Sequence, residues 1–485
     1  MADDSQLTAE QALQLLADHP SREGYDRFRR YYNGDHDLGF ASARFERAFG
    51  QLFKEFALNY CEALVDTLVD RLVVTGFDVE GKKGPASIGD ECDTIWRRNR
   101  LDLRSTQTHS EAIKVGDAYV IVWPGKDGLA TFYPNKPDGI ALEYDEETPG
   151  LIRMAVKIWR PRDRKFRMTV YTADFVYRFI GREVATSTAL PKKADAFEPL
   201  RTADEAWPIE NTFRQVPVFP FANRAGIDEY GASELRSVLP VQDALNKGVM
   251  DWLVAQEVVA LPQRYATGIE IPTNAESGKV EDAFKAAMDS VWASRDKDTR
   301  FGQFPGADLS GLLKGNDSLV GALAVISRTP MHYMLPVTGN WPSGESLKTA
   351  ESGLIAKANG GTLRFGNAWE DAMRFALKVD SIGGADEVQL STQWEETAPR
   401  SENDIATRTK TYQSAGAALK AAARRAGMSE NDAEELAEAE LDDLRQSPTP
   451  PQQPAVPSVP GNPTTSLANG TIVQRMPNGV VAAPR

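Results

Sequence analysis

Cysteine and histidine are scarce in this 485-residue sequence. Only two cysteines are present, Cys61 and Cys92, which argues against a disulfide scaffold and fits a reducing compartment, although one disulfide between them stays open. The four histidines have neither the HExxH nor the Cys/His spacing of a zinc site; they are His19, His36, His109 and His332. The sequence therefore predicts no metal and no cofactor, and His332, at a helix end beside Tyr333, is expected to be packed rather than to act as a ligand.

Long apolar runs are also missing. None approaches the roughly 20 residues that a helix needs to span a bilayer. The first residues, MADDSQLTAEQALQLLADHP, are acidic and begin with a helical period, unlike a signal peptide. We therefore expect a soluble protein, made inside a cell, with no membrane partner.

Positive charge is in deficit as well. The chain has 69 acidic against 55 basic residues, a formal net charge of −14 and a pI of about 5.0. That balance opposes a monomer that grips nucleic acid through a basic surface, but it permits a protein that surrounds DNA without holding it. The length and the 41% hydrophobic content provide for a sizeable core and several sub-domains.

Catalytic motifs are absent from the sequence. The segment PSGESLKT superficially resembles a phosphate-binding loop, but it lacks the GxxxxGK[ST] spacing and does not follow a strand. No GxSxG elbow occurs, and the acidic pairs Glu146–Glu147 and Asp442–Asp443 lie in turn or exposed-helix contexts. We predict that the protein is not an enzyme, with a site invisible to motif analysis left open.

The first half of the chain changes its hydrophobic period once. Residues 5–115 are predicted to be mainly helical, with a helix in NYCEALVDTLVDRLVVTGFDVEG that continues until Gly76 and further helices in SIGDECDTIWRRNRLD and RSTQTHSEAIKVGD. Residues 118–180 are β-rich runs broken by Gly, Pro and Asp, which predicts an antiparallel sheet of hairpins.

The middle of the chain combines two helices, an insert and a loop. An apolar helix is predicted at 232–258, with Ser233 as N-cap and Pro240 either kinking it or beginning its main segment. A small α/β insert at 263–311, with one helix near KVEDAFKAAMDSVWASR, precedes a second helix at 315–329. A loop rich in Pro, Gly and Trp then leads into a helix from Gly344 to about Val379, roughly 50 Å long.

The last part of the chain is predicted to be helical and then disordered. A short strand in EVQLSTQWEE precedes two helices that each open with Ser-Glu-Asn-Asp and are separated by Gly427. From Ser447 onward, the Pro, Ser, Gln, Asn and Gly content predicts a disordered tail.

Several of these segments together resemble a known family. They are NYCEALVDTLVDRLVVTGF, VPVFPFANR, SELRSVLPVQDALNKGVMDWLVAQEVVALPQR and WPSGESLKTAESGLIAKANGGTLRFGNAWEDAMRFAL. In their order and content, the chain resembles the portal proteins of tailed bacteriophages, specifically the Gp6-like family of actinobacterial phages, over roughly residues 20–445. These motifs are structural signatures rather than catalytic ones.

The resemblance implies an α+β portal fold with a helical and β-rich wing, a two-helix stem, a small α/β clip, a long kinked tunnel helix and a helical crown. The implied boundaries are 1–231 for the wing, 232–260 for stem helix 1, 261–312 for the clip, 313–331 for stem helix 2, 332–346 for the tunnel loop, 347–399 for the long helix and the return strand of the wing, 400–446 for the crown and 447–485 for the tail.

The same resemblance implies a function in the virion. The chain would form a dodecameric ring at one capsid vertex, made in the host bacterial cytoplasm, through which double-stranded DNA is packaged and ejected. Its implied partners are further copies of itself, the DNA in the channel, the large terminase subunit as a separate motor, a head–tail adaptor, and the major capsid and scaffolding proteins.

The loop is then expected to face the DNA. Its candidate residues are Val337, Thr338, Gly339, Asn340, Trp341, Pro342 and Ser343. Pro336 and Pro342 stiffen such a loop, whereas Gly339 and Gly344 permit a tight reversal. Trp341 either contacts DNA, packs against the loop of the next subunit, or anchors the base of its own loop.

Three further sets of residues have two interpretations each. Gly360 and Gly361 are either a hinge that lets the loops move or a kink needed for packing. Leu245, Val249, Trp252 and Leu253 pack the stem either within the chain or against neighbours. Lys348 and Lys357 either line the channel or are simple helix-surface charges, which we favour.

Other functions stay open at this point. The nearest alternative is another phage head or neck protein, followed by a cytoplasmic enzyme whose carboxylates or histidines converge on one pocket. A monomeric DNA-binding module is the third, but the helix ENDAEELAEAELDD is too acidic to read a major groove.

Overall fold

A computed structural model describes most of the chain. The segments outside the described residues are 1, 20–23, 45, 48–49, 51–56, 81–86, 185–189, 192, 202–205, 228–229, 261–263, 269–297, 304–307, 336–343, 385–387, 399–401, 429 and 447–485. The chain divides into two compact units, Met1–Pro399 and Arg400–Arg485. Helices and strands occur together in the first unit, as the α+β expectation requires.

The helices fall in the regions where the sequence predicts them. Their bounds are α1 Ala2–Ala17, α2 Tyr25–Tyr32, α3 Tyr60–Val69, α4 Ser87–Arg98, α5 Leu101–Val115, α6 Leu239–Ala260, α7 Ser310–Ser327, α8 Gly344–Val379, α9 Glu402–Ser414, α10 Leu419–Ala426 and α11 Glu430–Gln446. Among them, α8 begins and ends where the sequence predicts.

The strands of the described residues form four antiparallel sheets. Their bounds are β1 Val74–Glu80, β2 Asp117–Pro124, β3 Ala130–Asn135, β4 Ile140–Tyr144, β5 Ile152–Trp159, β6 Arg167–Thr172, β7 Phe175–Gly181, β8 Phe197–Pro199, β9 Ile209–Glu210, β10 Val218–Ala222, β11 Arg264–Thr267, β12 Arg300–Gln303 and β13 Gln389–Trp394. Their orders are β10-β2-β3, β4-β5-β6-β7-β8 with β9 beside β7, β1-β13 and β11-β12. The predicted hairpins between 118 and 180 are confirmed.

The helix that the sequence extends to Gly76 is shorter than predicted. Asn59 caps its start by accepting hydrogen bonds from the backbone N–H groups of Cys61 and Glu62. The helix ends at Val69, and from Val74 the chain becomes β1, paired with β13. Leu72 is buried, which explains why its spacing imitates a longer helix although it lies in the connection.

The first predicted stem helix also begins later than expected. α6 begins at Leu239, so Pro240 occupies its first turn and begins the main segment instead of kinking a longer helix. Ser233 does not cap α6, because its hydroxyl accepts from the backbone N–H of Leu235 and donates to the carbonyl of Lys114. Residues 234–238 form a separate turn.

The insert between α6 and α7 contains the hairpin β11–β12 within the described residues. The helix predicted near KVEDAFKAAMDSVWASR lies outside them. α7 runs from Ser310 to Ser327 rather than over 315–329.

The second unit contains three described helices. The sequence predicts one helix over 401–427, and this prediction is wrong. The segment contains two helices, α9 and α10, because Gly416 forms a turn between them with a φ of +94°, which interrupts the helical backbone. Gly427 ends α10 in the left-handed region, as predicted for the residue that separates these helices from α11.

The main core of the first unit surrounds α8. Leu354, Phe365 and Trp369 of this helix are completely buried. They belong to one hydrophobic cluster with the buried faces of α3, α5, β2, β3 and β10. α8 is therefore the element on which the first unit is built, and it begins directly after the segment 336–343.

Candidate functional site: the loop base and the helix that follows

The predicted loop residues themselves, from Val337 to Ser343, lie outside the described residues. The residues on both sides of them are described. Before the loop, Met331–Tyr333 form one turn of 3-10 helix, and after it α8 begins at Gly344.

A polar cluster joins these two flanks. Arg71 donates from Nη2 to the Tyr333 hydroxyl at 3.0 Å and to Glu351 Oε2 at 3.4 Å, and the Tyr333 hydroxyl donates to Glu351 Oε1 at 3.2 Å. The Arg71 and Glu351 side chains are only 14% and 9% exposed, so water screens their ion pair weakly. The cluster thus ties the residue before the loop to the second turn of the helix after it.

His332 contributes to the same cluster. Its Nε2 lies 3.6 Å from Glu351 Oε1, and its ring lies over Tyr333 with the ring centres 4.6 Å apart. Among the described residues, no group of three or more His, Cys, Asp and Glu side chains is arranged to hold a metal ion. The contacts of His332 are those of a packed side chain.

α8 is held in the core by a buried hydrogen-bond chain. Trp369 Nε1 donates to His109 Nε2 at 2.8 Å, and His109 Nδ1 bonds to the carbonyl of Leu72 at 3.0 Å. Because the carbonyl only accepts, Nδ1 carries the proton and the ring is neutral. Burial lowers the pKa of His109 to about 3. Isolated in the sequence, this histidine gave no sign of its structural role.

Gly360 and Gly361 lie inside one continuous helix, and each contacts a different side chain. A Cβ at Gly361 would lie 3.1 Å from Cδ2 of the buried Leu72, whereas a Cβ at Gly360 would lie 3.2 Å from Nη1 of Arg364. The small residues therefore let α8 approach Leu72 on one side and accommodate a guanidinium on the other. These contacts support the packing interpretation, and the hinge stays a prediction.

The four predicted stem residues occupy different environments. Leu245 is 1% exposed and belongs to the main core, and Val249 packs against that core. Trp252 and Leu253 are half-buried. α6 packs closely on α7, because a Cβ at Gly248 would overlap the side chain of Asn316.

Lys357 is not a simple surface charge. Its Nζ lies 2.7 Å from Glu234 Oε2 and donates to the carbonyl of Ser327 at 3.0 Å, and the side chain is only 10% exposed. Glu234, with its side chain 6% exposed, also accepts from Asn223 and Arg224. Burial raises the pKa of its carboxyl, but the charges of Lys357 and Arg224 and the hydrogen bonds from Lys357 and Asn223 keep it below the ordinary value. The side chain of Lys348 lies outside the described set.

Next to this ion pair is a cavity of about 250 Å³. It lies between the C-terminal end of α7, the middle of α8 and the segment that follows β10. Its lining residues are Arg224, Glu234, Ile326, Ser327, Arg328, Ala356, Lys357, Gly360 and Arg364. Four cationic side chains therefore share it with one carboxylate.

The model of the phage portal protein family of the SPP1 Gp6-like type matches residues 15–449. The chain belongs to this family. Two curated portal proteins are similar to it at 27% identity, covering 70% of this chain and 68% of the relative: that of Mycobacterium phage L5 over 357 residues and that of Mycobacterium phage D29 over 351. A solved structure titled as the neck of a native gene transfer agent particle, computed with C12 symmetry, has a TM-score of 0.45 at 10% identity, covering 85% of this chain and 94% of that chain.

Membership confirms the resemblance drawn from the sequence. The chain is a portal protein of the virion, located at the portal vertex of the capsid, and its family is a structural one. No helix within the described ranges combines the length and apolar content that crossing a bilayer requires.

Proposed function

We propose that this portal chain forms a ring of twelve copies that encloses double-stranded DNA during packaging and ejection. The observation that carries the proposal is the family match over residues 15–449, combined with an order of elements in which the predicted tunnel loop lies between a helix pair and the long helix of the core. This order of elements suits a channel, because each copy in the ring would hold its loop at the same position along the channel axis by attaching it to a rigid helix.

Each element then has a place in the ring. α6 and α7 form the stem, and the insert with β11–β12 forms the clip. Residues 332–346 form the tunnel loop, and α9–α11 form the crown. The first unit without these elements is the wing, with α8 as its backbone. Within this assignment, the cluster of Arg71, Tyr333 and Glu351 fixes the loop base on the wing.

The charge of the chain suits a channel in which DNA slides. A net charge of −14 repels phosphates, whereas dense Lys and Arg would form contacts that each cost free energy to break at every step of translocation. The protein in this proposal does no chemistry, and the energy for packaging comes from the large terminase subunit docked on the clip. A head–tail adaptor and the capsid and scaffolding proteins complete its set of partners.

Substituting Trp341 tests the loop assignment. In phage that carry Trp341→Ala, we expect heads to assemble with a normal portal content but to contain less nuclease-protected DNA than wild type, because the loop loses its large contact surface. Trp341→Phe is the matched control and is expected to retain most of the packaging, since it keeps an aromatic ring. Wild-type packaging by Trp341→Ala, at normal portal content, would contradict the role of the loop.

A further inference from the structure

The cavity between α7 and α8 has more positive side chains than its single carboxylate can neutralise. Its one carboxylate, Glu234, is already satisfied: it receives Lys357 at 2.7 Å, Asn223 at 3.1 Å and Arg224 at 3.3 Å. Arg328 and Arg364 remain. In the described part of the chain, neither has a carboxylate within ion-pair distance.

Arg364 is the least compensated of these cations. Its Nε is buried without a hydrogen-bond partner among the described residues, and Nη2 reaches only the side-chain oxygen of Asn223, at 3.5 Å. Burial lowers the pKa of this guanidinium, the negative charge of Glu234 offsets part of that effect, and the positive charge of Arg224 lowers the pKa further. A half-buried guanidinium with an unused donor is costly unless an anion reaches it.

Three exposed aliphatic side chains either line the cavity or neighbour a lining residue in the sequence. Val325 is 78% exposed and Leu363 68% exposed, and Ile326, which lines the cavity, is 44% exposed. Exposed aliphatic side chains around buried arginines are typical of protein–protein interfaces. Surfaces that hold a DNA backbone are instead polar and densely basic throughout. The exposed side chains of Val325, Ile326 and Leu363 therefore favour a protein segment as the occupant.

We infer that this cavity receives a carboxylate side chain from a second copy of the chain. The inference rests on the proposed ring and adds the residues that the neighbour meets. Because the chain has 69 acidic and 55 basic residues, a second copy offers many carboxylates and its surface is complementary to this positive cavity. Arg364 and Arg328 bind the carboxylate, while Val325, Ile326 and Leu363 pack around it and exclude water.

Gly360 is one of the residues that line the cavity. Without a Cβ, it leaves room for Nη1 of Arg364, which lies 3.2 Å from the position that a Cβ would take. The guanidinium can therefore lie along the surface of α8 and face the cavity. Gly360 therefore has a packing role at the cavity, and the hinge stays a prediction.

Charge reversal at the cavity tests the inference. The variants are Arg328→Glu, at an exposed position, and Arg364→Gln, with Arg236→Glu as a matched substitution of an exposed arginine outside the cavity. Ring assembly is measured by mass photometry over a concentration series of the full-length protein. We expect both cavity variants to raise the concentration for half-assembly at least about tenfold and the control to leave it unchanged. Wild-type assembly by Arg328→Glu would overturn the inference.

A crosslink separates this inference from the ring itself. A benzophenone amino acid is placed at Leu363, beside the cavity, or at Leu103, which is 62% exposed on α5, as control. After irradiation with duplex DNA present, a covalent dimer from position 363 but not from 103 supports the cavity contact, even if mass photometry contradicts a ring. A crosslink to DNA, or no crosslink at all, contradicts the cavity contact, even if rings form.

Discussion

At the scale of single residues, the buried chain from Trp369 through His109 to Leu72 connects three separate parts of the sequence. Its hydrogen bonds fix the neutral form of the imidazole with the proton on Nδ1, so the site stabilises the core only while His109 stays neutral. The pKa of His109, lowered to about 3 by burial, has a consequence for stability.

We predict that His109 makes the protein less stable in acid. Between about pH 6.5 and pH 3, the unfolded chain binds a proton at this residue and the folded chain does not, so the free energy of unfolding falls as pH falls, by about 1.4 kcal/mol for each pH unit. Asp117 acts in the opposite direction, because burial raises the pKa of its carboxyl to about 6 and the folded chain then holds the proton more firmly.

His109→Gln isolates the histidine contribution, because an amide can also accept from Trp369 and donate to Leu72. Urea unfolding from pH 7 to pH 4.5 is expected to be less steeply pH-dependent in the variant, while Asp117 acts equally in both proteins. Parallel pH profiles for the two proteins would refute the prediction.

The structural role of His109 could not be predicted from the sequence, for a physical reason. A lone histidine carries no periodic signal, and its partners Leu72 and Trp369 are far from it in the chain. The same holds for Arg71 and Glu351, whose pairing depends on the tertiary structure. In contrast, Leu245 could be placed in a core from its helical spacing alone, although its location inside the subunit rather than between copies could not.

At the scale of elements, sequence patterns predicted types better than ends. The hairpins of β2–β7 and both ends of α8 follow from period and turn residues. The ends of α3 and α6 did not, because Leu72 and Leu235 are buried outside the helices whose apolar stripes they continue. Burial sets the spacing of apolar residues, and it does not distinguish a helix from the compact turn beside it.

The glycine pair of α8 gives a prediction at this scale. Gly361→Val is expected to lower the free energy of unfolding by roughly 1–3 kcal/mol, because its side chain would press on the buried Leu72. Gly360→Val is the matched control and is expected to change stability less, since the atom that it meets is the end of a flexible arginine. Thermal unfolding of both variants measures the difference.

Equal stability of the two valine variants, accompanied by an equal loss of DNA packaging, would instead favour the hinge. The packing interpretation requires the two positions to differ, since Gly361 faces the core and Gly360 faces the cavity. The comparison therefore separates two interpretations that the sequence alone left equal.

At the scale of the whole molecule, charge and architecture point in the same direction. A basic DNA-binding face is not expected in an acidic chain of 485 residues with a structural family assignment. Outside the cavity beside α8, cations form pairs such as Arg98–Asp380 and Arg71–Glu351. The cavity beside α8 departs from this pattern, because four cations share it with one carboxylate, and the proposed contact between copies would supply a second carboxylate.

The native mass of the purified protein tests the central claim most directly. Measured by mass photometry, with negative-stain images of the same sample, the account predicts rings of about twelve copies of the 53.3 kDa chain around a central hole. A compact dimer or tetramer without a hole, in a sample that also fails to form rings with its capsid and scaffolding partners, would contradict it.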